Sequence, residues 1–229
     1  MFAFFERLLP TYPPDAPAVP PAKLWPFLWE MTEGSRLYLL GLMAMTASIA
    51  AFEAFLFALL GFLVDWLAKT PPEQFWALAR AELTLMAAFL LGSVVLVLLA
   101  CLVKYQTLFA NMPMRLRWSF HRLMLAQSMS FYQNEFSGRV STKVMQTALA
   151  VRDVVITLVD ILVFVAVYFL TMVTVVGSFD LRLMWPFALW VLAYALVLRF
   201  FVPRIGAVAK RQADARSLMT GRITDAYTN

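Results

Sequence analysis

Apolar and polar positions along this chain are sorted in blocks as long as helices. A helix needs about 20 mostly apolar residues to cross the hydrocarbon core of a bilayer. Four runs meet or approach that length, at residues 37–64, 83–110, 154–179 and 182–203. The first is broken only by Glu53 and the third only by Asp160. The second carries no charge before Lys104. The fourth is apolar over a shorter stretch, but Arg182 and Arg199 near its ends have stems that can lie along apolar surface while their charged heads reach the interface. The pattern predicts an all-α membrane protein with four transmembrane helices.

The polar segment between the second and third runs, residues 111–153, contains Pro113 and Gly138 as its only breakers. Leu116, Phe120, Leu123 and Met124 recur in it at helical spacing, as do Val140, Val144, Thr147 and Val151. One reading is two helices that prolong the second and third spans, joined by a turn near residues 131–138. The other is an amphipathic loop lying on the membrane surface, and the periodicity fits both. Before the first run, Trp25, Phe27, Leu28 and Trp29 stand beside Lys23, Glu30 and Glu33, which predicts a short interfacial helix. Residues 1–22 hold Pro10, Pro13, Pro14, Pro17, Pro20 and Pro21 and read as a proline-rich tail, extended or disordered and not packed. Glu6 and Arg7, with prolines close behind them, exclude a secretory leader.

Composition sharpens the picture. The 229 residues are 62% hydrophobic and 14% charged, against roughly 45–50% and about 25% in soluble domains. A soluble globule and a disordered chain are both excluded. The net charge is +5, and its distribution reads as membrane topology and not as a nucleic-acid footprint. Lys104 at the end of the second span and Arg115, Arg117, Arg122, Arg139, Lys143 and Arg152 lie on the side of the long loop, and Arg199 at the end of the fourth span is followed by Arg204, Lys210, Arg211, Arg216 and Arg222. The other two connections hold little more than Lys69, Arg80 and Arg182. Basic residues favour the cytoplasm, so both termini and the long loop are expected there.

Candidate chemistry is sparse. A single cysteine, Cys101, and a single histidine, His121, exclude a metal site built from those residues. There is no G-x-x-x-x-G-K-S/T phosphate loop, no G-x-S-x-G and no C-x-x-C, so no catalytic, cofactor or metal residues are expected in this chain. Glu53 and Asp160 remain. A carboxylate at membrane depth is costly and usually faces a bundle interior or a cavity. Each is either a contact that holds helices together or a polar group lining a transport cavity.

Several markers carry a family resemblance. They are Leu60-Gly61-Phe62-Leu63-Val64-Asp65 closing the first span after Glu53, Ser130-Phe131-Tyr132 with Gly138 and Arg139, and Thr220-Gly221-Arg222-Ile223-Thr224-Asp225 after the fourth span. From about Trp25 to Asn229 the chain resembles the N-terminal part of the transmembrane domain of an ATP-binding-cassette (ABC) exporter, of the bacterial multidrug and lipid exporter type. The resemblance implies long cytoplasmic helical extensions, which favours the helical reading of residues 111–153, and a start of a second cytoplasmic loop at 204–229. It implies that Phe131, Tyr132, Gly138, Arg139, Gly221, Arg222 and Asp225 meet a nucleotide-binding domain absent from this chain, where ATP and Mg2+ would be held. It further implies a dimer of half-transporters in the bacterial inner (plasma) membrane, with membrane lipid around it and an amphiphilic small-molecule or lipid substrate. Such a half-transporter has further spans, so the chain is expected to be a truncated part of one. The alternative is a small four-span membrane protein outside that family, an assembly factor or a channel subunit.

Overall fold

The computed structural model describes residues 2–14, 19–69, 72–134 and 137–228, with side chains left undescribed at 69, 72–79, 82, 134, 137–139, 217, 225 and 228. Nine α-helices succeed one another among the described residues: α1 (Phe2–Leu8), α2 (Leu24–Met31), α3 (Arg36–Lys69), α4 (Pro72–Cys101), α5 (Asn111–Leu125), α6 (Met129–Asn134), α7 (Ser137–Ile156), α8 (Val163–Phe179) and α9 (Met184–Thr228). There is no strand among the described residues. The protein is an all-α membrane protein, with four segments long and apolar enough to span: Arg36–Ala68, Leu83–Leu125, Val140–Phe179 and Leu181–Thr224.

Three of these segments are much longer than a bilayer is thick. Leu83–Leu125 has 43 residues, Val140–Phe179 has 40 and Leu181–Thr224 has 44. At 1.5 Å per residue each reaches roughly 60 Å, about twice the hydrocarbon core. The continuity is helical throughout. A π-helical stretch, Leu102–Phe109, joins α4 to α5, and a second, Thr157–Leu162, joins α7 to α8. Pro113 gives a reason for the change of winding before α5: it has no N–H for the carbonyl one turn earlier. The spans therefore pass into α5 and α7, which pack together as a pair of arms. Met112, Leu116 and Phe120 of α5 are buried in the same cluster as Ala148, Val151 and Val155 of α7. That seam decides between the two sequence readings of residues 111–153. A surface loop would turn these residues to lipid, whereas here each apolar face covers the other.

In the spans, the most extensive packing is between α3 and α8. Leu39, Leu42, Thr46, Ala50 and Ala54 form the buried stripe of α3, spaced three or four apart. Small residues at 46, 50 and 54 let the neighbouring backbone approach, which is how helices gain contact where lipid is as apolar as leucine. Most other span side chains are exposed, and α9 is open along its span. In water such surface would be untenable, but in lipid it costs nothing.

The N-terminal expectation needs correction. Residues 2–14 are not a free tail. Residues Phe2–Leu8 form α1, which packs against the π-helical stretch before α5, and Leu9 is only 1% exposed. Proline removes backbone donors but leaves every carbonyl, and the arm supplies donors to them. The interfacial helix appears as α2, with Trp25 and Trp29 exposed. It ends in a turn where Gly34 adopts φ +76°, a left-handed conformation that L side chains disfavour.

Candidate functional site

Two places draw the polar and aromatic residues together: the level where the arms leave the spans, and the turn between the arms.

At the first, Asp160 sits in the π-helical stretch before α8 and Lys104 in the one after α4. Lys104 Nζ donates to Asp160 Oδ2 at 2.6 Å, and Thr46 Oγ1 of α3 donates to Asp160 Oδ1 at 2.8 Å. Both carboxylate oxygens are thus engaged, one by a cation and one by a hydroxyl. The side chains are 23% and 16% exposed for Lys104 and Asp160, and Thr46 is buried. The cluster ties three spanning segments at one level. π-Helical turns are rare and carry an extra residue, which rotates the next stretch of helix by about 100° about its axis. Here each such stretch holds one member of the ion pair. Just above it, the Arg152 guanidinium lies 4.0 Å from the centroid of the Phe109 ring and is paired with Asp153 at 2.7 Å. Of the two intramembrane carboxylates expected from the sequence, Asp160 therefore makes a helix-to-helix contact. Glu53 is exposed on α3 in this chain.

By charge alone Lys104 is one more basic residue on the side of the long loop. A signal for the pair was present. Lys104 stands six residues before the expected boundary at 110, and Asp160 six after the boundary at 154, on antiparallel neighbours.

At the second place, residues 126–128 turn the chain and lead into α6. Phe131 is half-buried and lines a groove of about 280 Å3 between the arms, with Phe120, Met124, Val140, Val144 and Thr147. Its ring meets Tyr132 edge to face at 5.4 Å. The Tyr132 hydroxyl donates to the carbonyl of Met124 at the end of α5, which also accepts from the Gln127 amide at 2.9 Å. Phe131 from within the groove and Tyr132 from the exposed side thus hold the turn together. Gly138, read from the sequence as the end of the turn, is the second residue of α7; the side-chain positions of Gly138 and Arg139 lie outside the described residues. Gly221 and Arg222 lie within α9, with open space around the Gly221 Cα and Arg222 exposed. The side chain of Asp225 lies outside the described residues. Residues 131–132 and 221–222 thus stand on separate elements.

Between α3, α4 and α8 a lateral groove of about 670 Å3 is lined by Phe52, Phe55, Phe89, Leu96, Ser48 and Thr171 among others. Nothing in these places is arranged as a nucleophile with its base. No group of three His, Cys, Asp or Glu that could hold a metal occurs among the described residues. What the arrangement can do is mechanical: it joins spans rigidly to a turn far outside them.

The chain is similar to an ABC transporter protein over its whole length. It is 49% identical over 229 residues to an "Uncharacterized ABC transporter ATP-binding protein" from Haemophilus influenzae. The chain spans 37% of that relative's length. No family signature matches the chain, and no solved structure matches it. The four apolar helices of the chain all fall within the matched part of that relative.

Proposed function

We propose that this chain is the membrane-spanning part of an ATP-driven ABC exporter of the bacterial multidrug and lipid type. It forms part of the substrate pathway and receives force from a nucleotide-binding domain outside this chain. The observation that supports this reading best is the pair of arms. Two spans run without a loop into α5 and α7, which are zipped by an apolar seam and joined through the short aromatic helix α6. A lever of this form transmits a rigid-body push from its tip to the membrane.

In mechanism, closure of the nucleotide-binding domains outside this chain, which bound ATP and Mg2+ would favour over the open state, pushes on this chain. Helix α6, with Tyr132 on its exposed side, and the distal part of α9 around Gly221, Arg222 and Asp225 are the receiving surfaces. The arms carry the movement to α3, α4 and α8, whose lateral groove changes its access. That groove is aromatic and apolar with a few hydroxyls, a lining suited to amphiphilic molecules or lipids. The chain works as part of a half-transporter that pairs into a dimer in the bacterial inner membrane, with the arms and both termini in the cytoplasm.

The test is made in the intact transporter, with its ATPase portion. Phe131→Ala combined with Tyr132→Ala is expected to insert normally, to keep basal ATP hydrolysis and to lose substrate stimulation and transport. Tyr132→Phe removes only the bond to the Met124 carbonyl and is expected to stay coupled. A double alanine variant that inserts and transports like the unsubstituted protein refutes the role of α6.

A further inference from the structure

The outer face of α5 and of the π-helical stretch before it carries a line of donors. Thr107, Asn111, Arg115, Trp118 and Arg122 are spaced four, four, three and four apart, which puts them on one side of the helix. Every one of them donates to a main-chain carbonyl of the N-terminal segment, in the same order along the chain. Thr107 Oγ1 reaches the Phe5 carbonyl at 2.9 Å, Asn111 Nδ2 the Glu6 carbonyl at 2.7 Å and an Arg115 Nη the Pro10 carbonyl at 3.0 Å. Trp118 Nε1 reaches the Pro13 carbonyl at 3.3 Å, and an Arg122 Nη the Pro13 and Pro14 carbonyls at 3.3 and 2.9 Å.

We propose that this stripe is a binding site for a proline-bearing peptide, occupied here by the chain's own residues 2–14, which strap the arm to the start of α3. The chemistry is complementary. A segment with prolines at 10, 13 and 14 is poor in backbone donors and keeps all its acceptors. Tryptophan and arginine offer donors and no acceptor, so each can be satisfied only from that side. Two side chains of the segment fix its register. Leu9 is 1% exposed, and the Tyr12 ring stands edge-on to Trp118 at 5.4 Å and 90°. The strap is closed at its other edge by α3, where the Tyr38 hydroxyl donates to the Leu8 carbonyl at 2.7 Å. Gly34 completes the site. A Cβ there would stand 2.6 Å from Arg115 Nη2, so the missing side chain is what lets Arg115 pass under the turn to Pro10. The inference stands whether or not the chain serves an ABC exporter, because it concerns only contacts within the chain.

The test uses a synthetic peptide of residues 2–14 carrying a fluorophore. It is titrated against a chain begun at residue 19 in lipid nanodiscs, with empty nanodiscs and a scrambled peptide subtracted. Saturable binding is expected, weakened at least about tenfold by Trp118→Phe with Arg122→Ala, as the loss of charged and neutral donors requires. Binding equal to the scrambled peptide, or equal in the variant, overturns the proposal. Should the shortened chain fail to fold, the full chain decides by amide exchange. The α1 amides are then expected to exchange at least about tenfold faster in the Trp118→Phe, Arg122→Ala variant than in the unsubstituted chain. Unchanged exchange there overturns it.

Discussion

The ion pair that joins the spans yields the sharpest test of the packing argument. Lys104→Met leaves the Asp160 carboxylate with only the Thr46 hydroxyl, and Asp160→Leu leaves the Lys104 ammonium with no carboxylate at 2.6 Å. Breaking a fully buried pair from one side costs about 3–5 kcal/mol, because the remaining charge is stranded. Here the two side chains keep 23% and 16% of their exposure, so some water reaches the survivor and the expected cost is about 2 kcal/mol. Replacing both, Lys104→Met with Asp160→Leu, removes the attraction and the desolvation together and is expected to cost less than about 1 kcal/mol. The coupling between the two sites is then about 3 kcal/mol or more. Thr46→Ala, which removes one hydroxyl donor to a carboxylate, is expected to cost about 1.5 kcal/mol. The measurement is equilibrium unfolding of the purified chain in mixed micelles, monitored by helix content as the denaturing detergent is raised. If each single substitution costs under about 0.5 kcal/mol and the double is their sum, the pair is solvated and does not hold the three segments together.

The geometry sets two further outcomes. Gly34→Ala is expected to cost about 1–2 kcal/mol from the left-handed backbone alone, with more added where the new Cβ meets Arg115 at 2.6 Å; an unchanged unfolding midpoint would mean the turn relaxes freely. In a Cys101→Ser background, an impermeant thiol reagent added outside intact cells is expected to label Thr70→Cys and to spare Ser128→Cys, and the opposite pattern would reverse the proposed orientation.

How far the sequence reveals this molecule depends on which solvent sets the pattern. The spans are legible because hydrocarbon imposes one rule on every residue, and runs at 37–64, 83–110, 154–179 and 182–203 obey it. The arms are half legible. Their helical period is plain, but an amphipathic helix on a membrane surface has the same period. Only the seam of Met112, Leu116 and Phe120 against Ala148, Val151 and Val155 separates the two. The π-helical stretches leave no mark in the sequence, since a widened turn is selected by what its side chains find across the interface. With them went the pairing of Lys104 and Asp160, although equal depth on adjacent antiparallel spans pointed to it.

The N-terminal segment shows a different kind of blindness. Prolines at 10, 13 and 14 argue against helix and strand, and both arguments are correct. They do not argue against packing, because a chain that cannot pair with its own backbone can still be held by side chains. The holding side chains were in view as well. Opposite the apolar stripe of α5 runs a second stripe, Asn111, Arg115, Trp118 and Arg122, that water alone does not explain: a tryptophan set among arginines buries its ring only if something covers it. Tyr12 covers it here. An arm with two patterned faces has two partners, one for each, and the sequence of the arm therefore carried the argument for a packed strap that the sequence of the strap itself concealed.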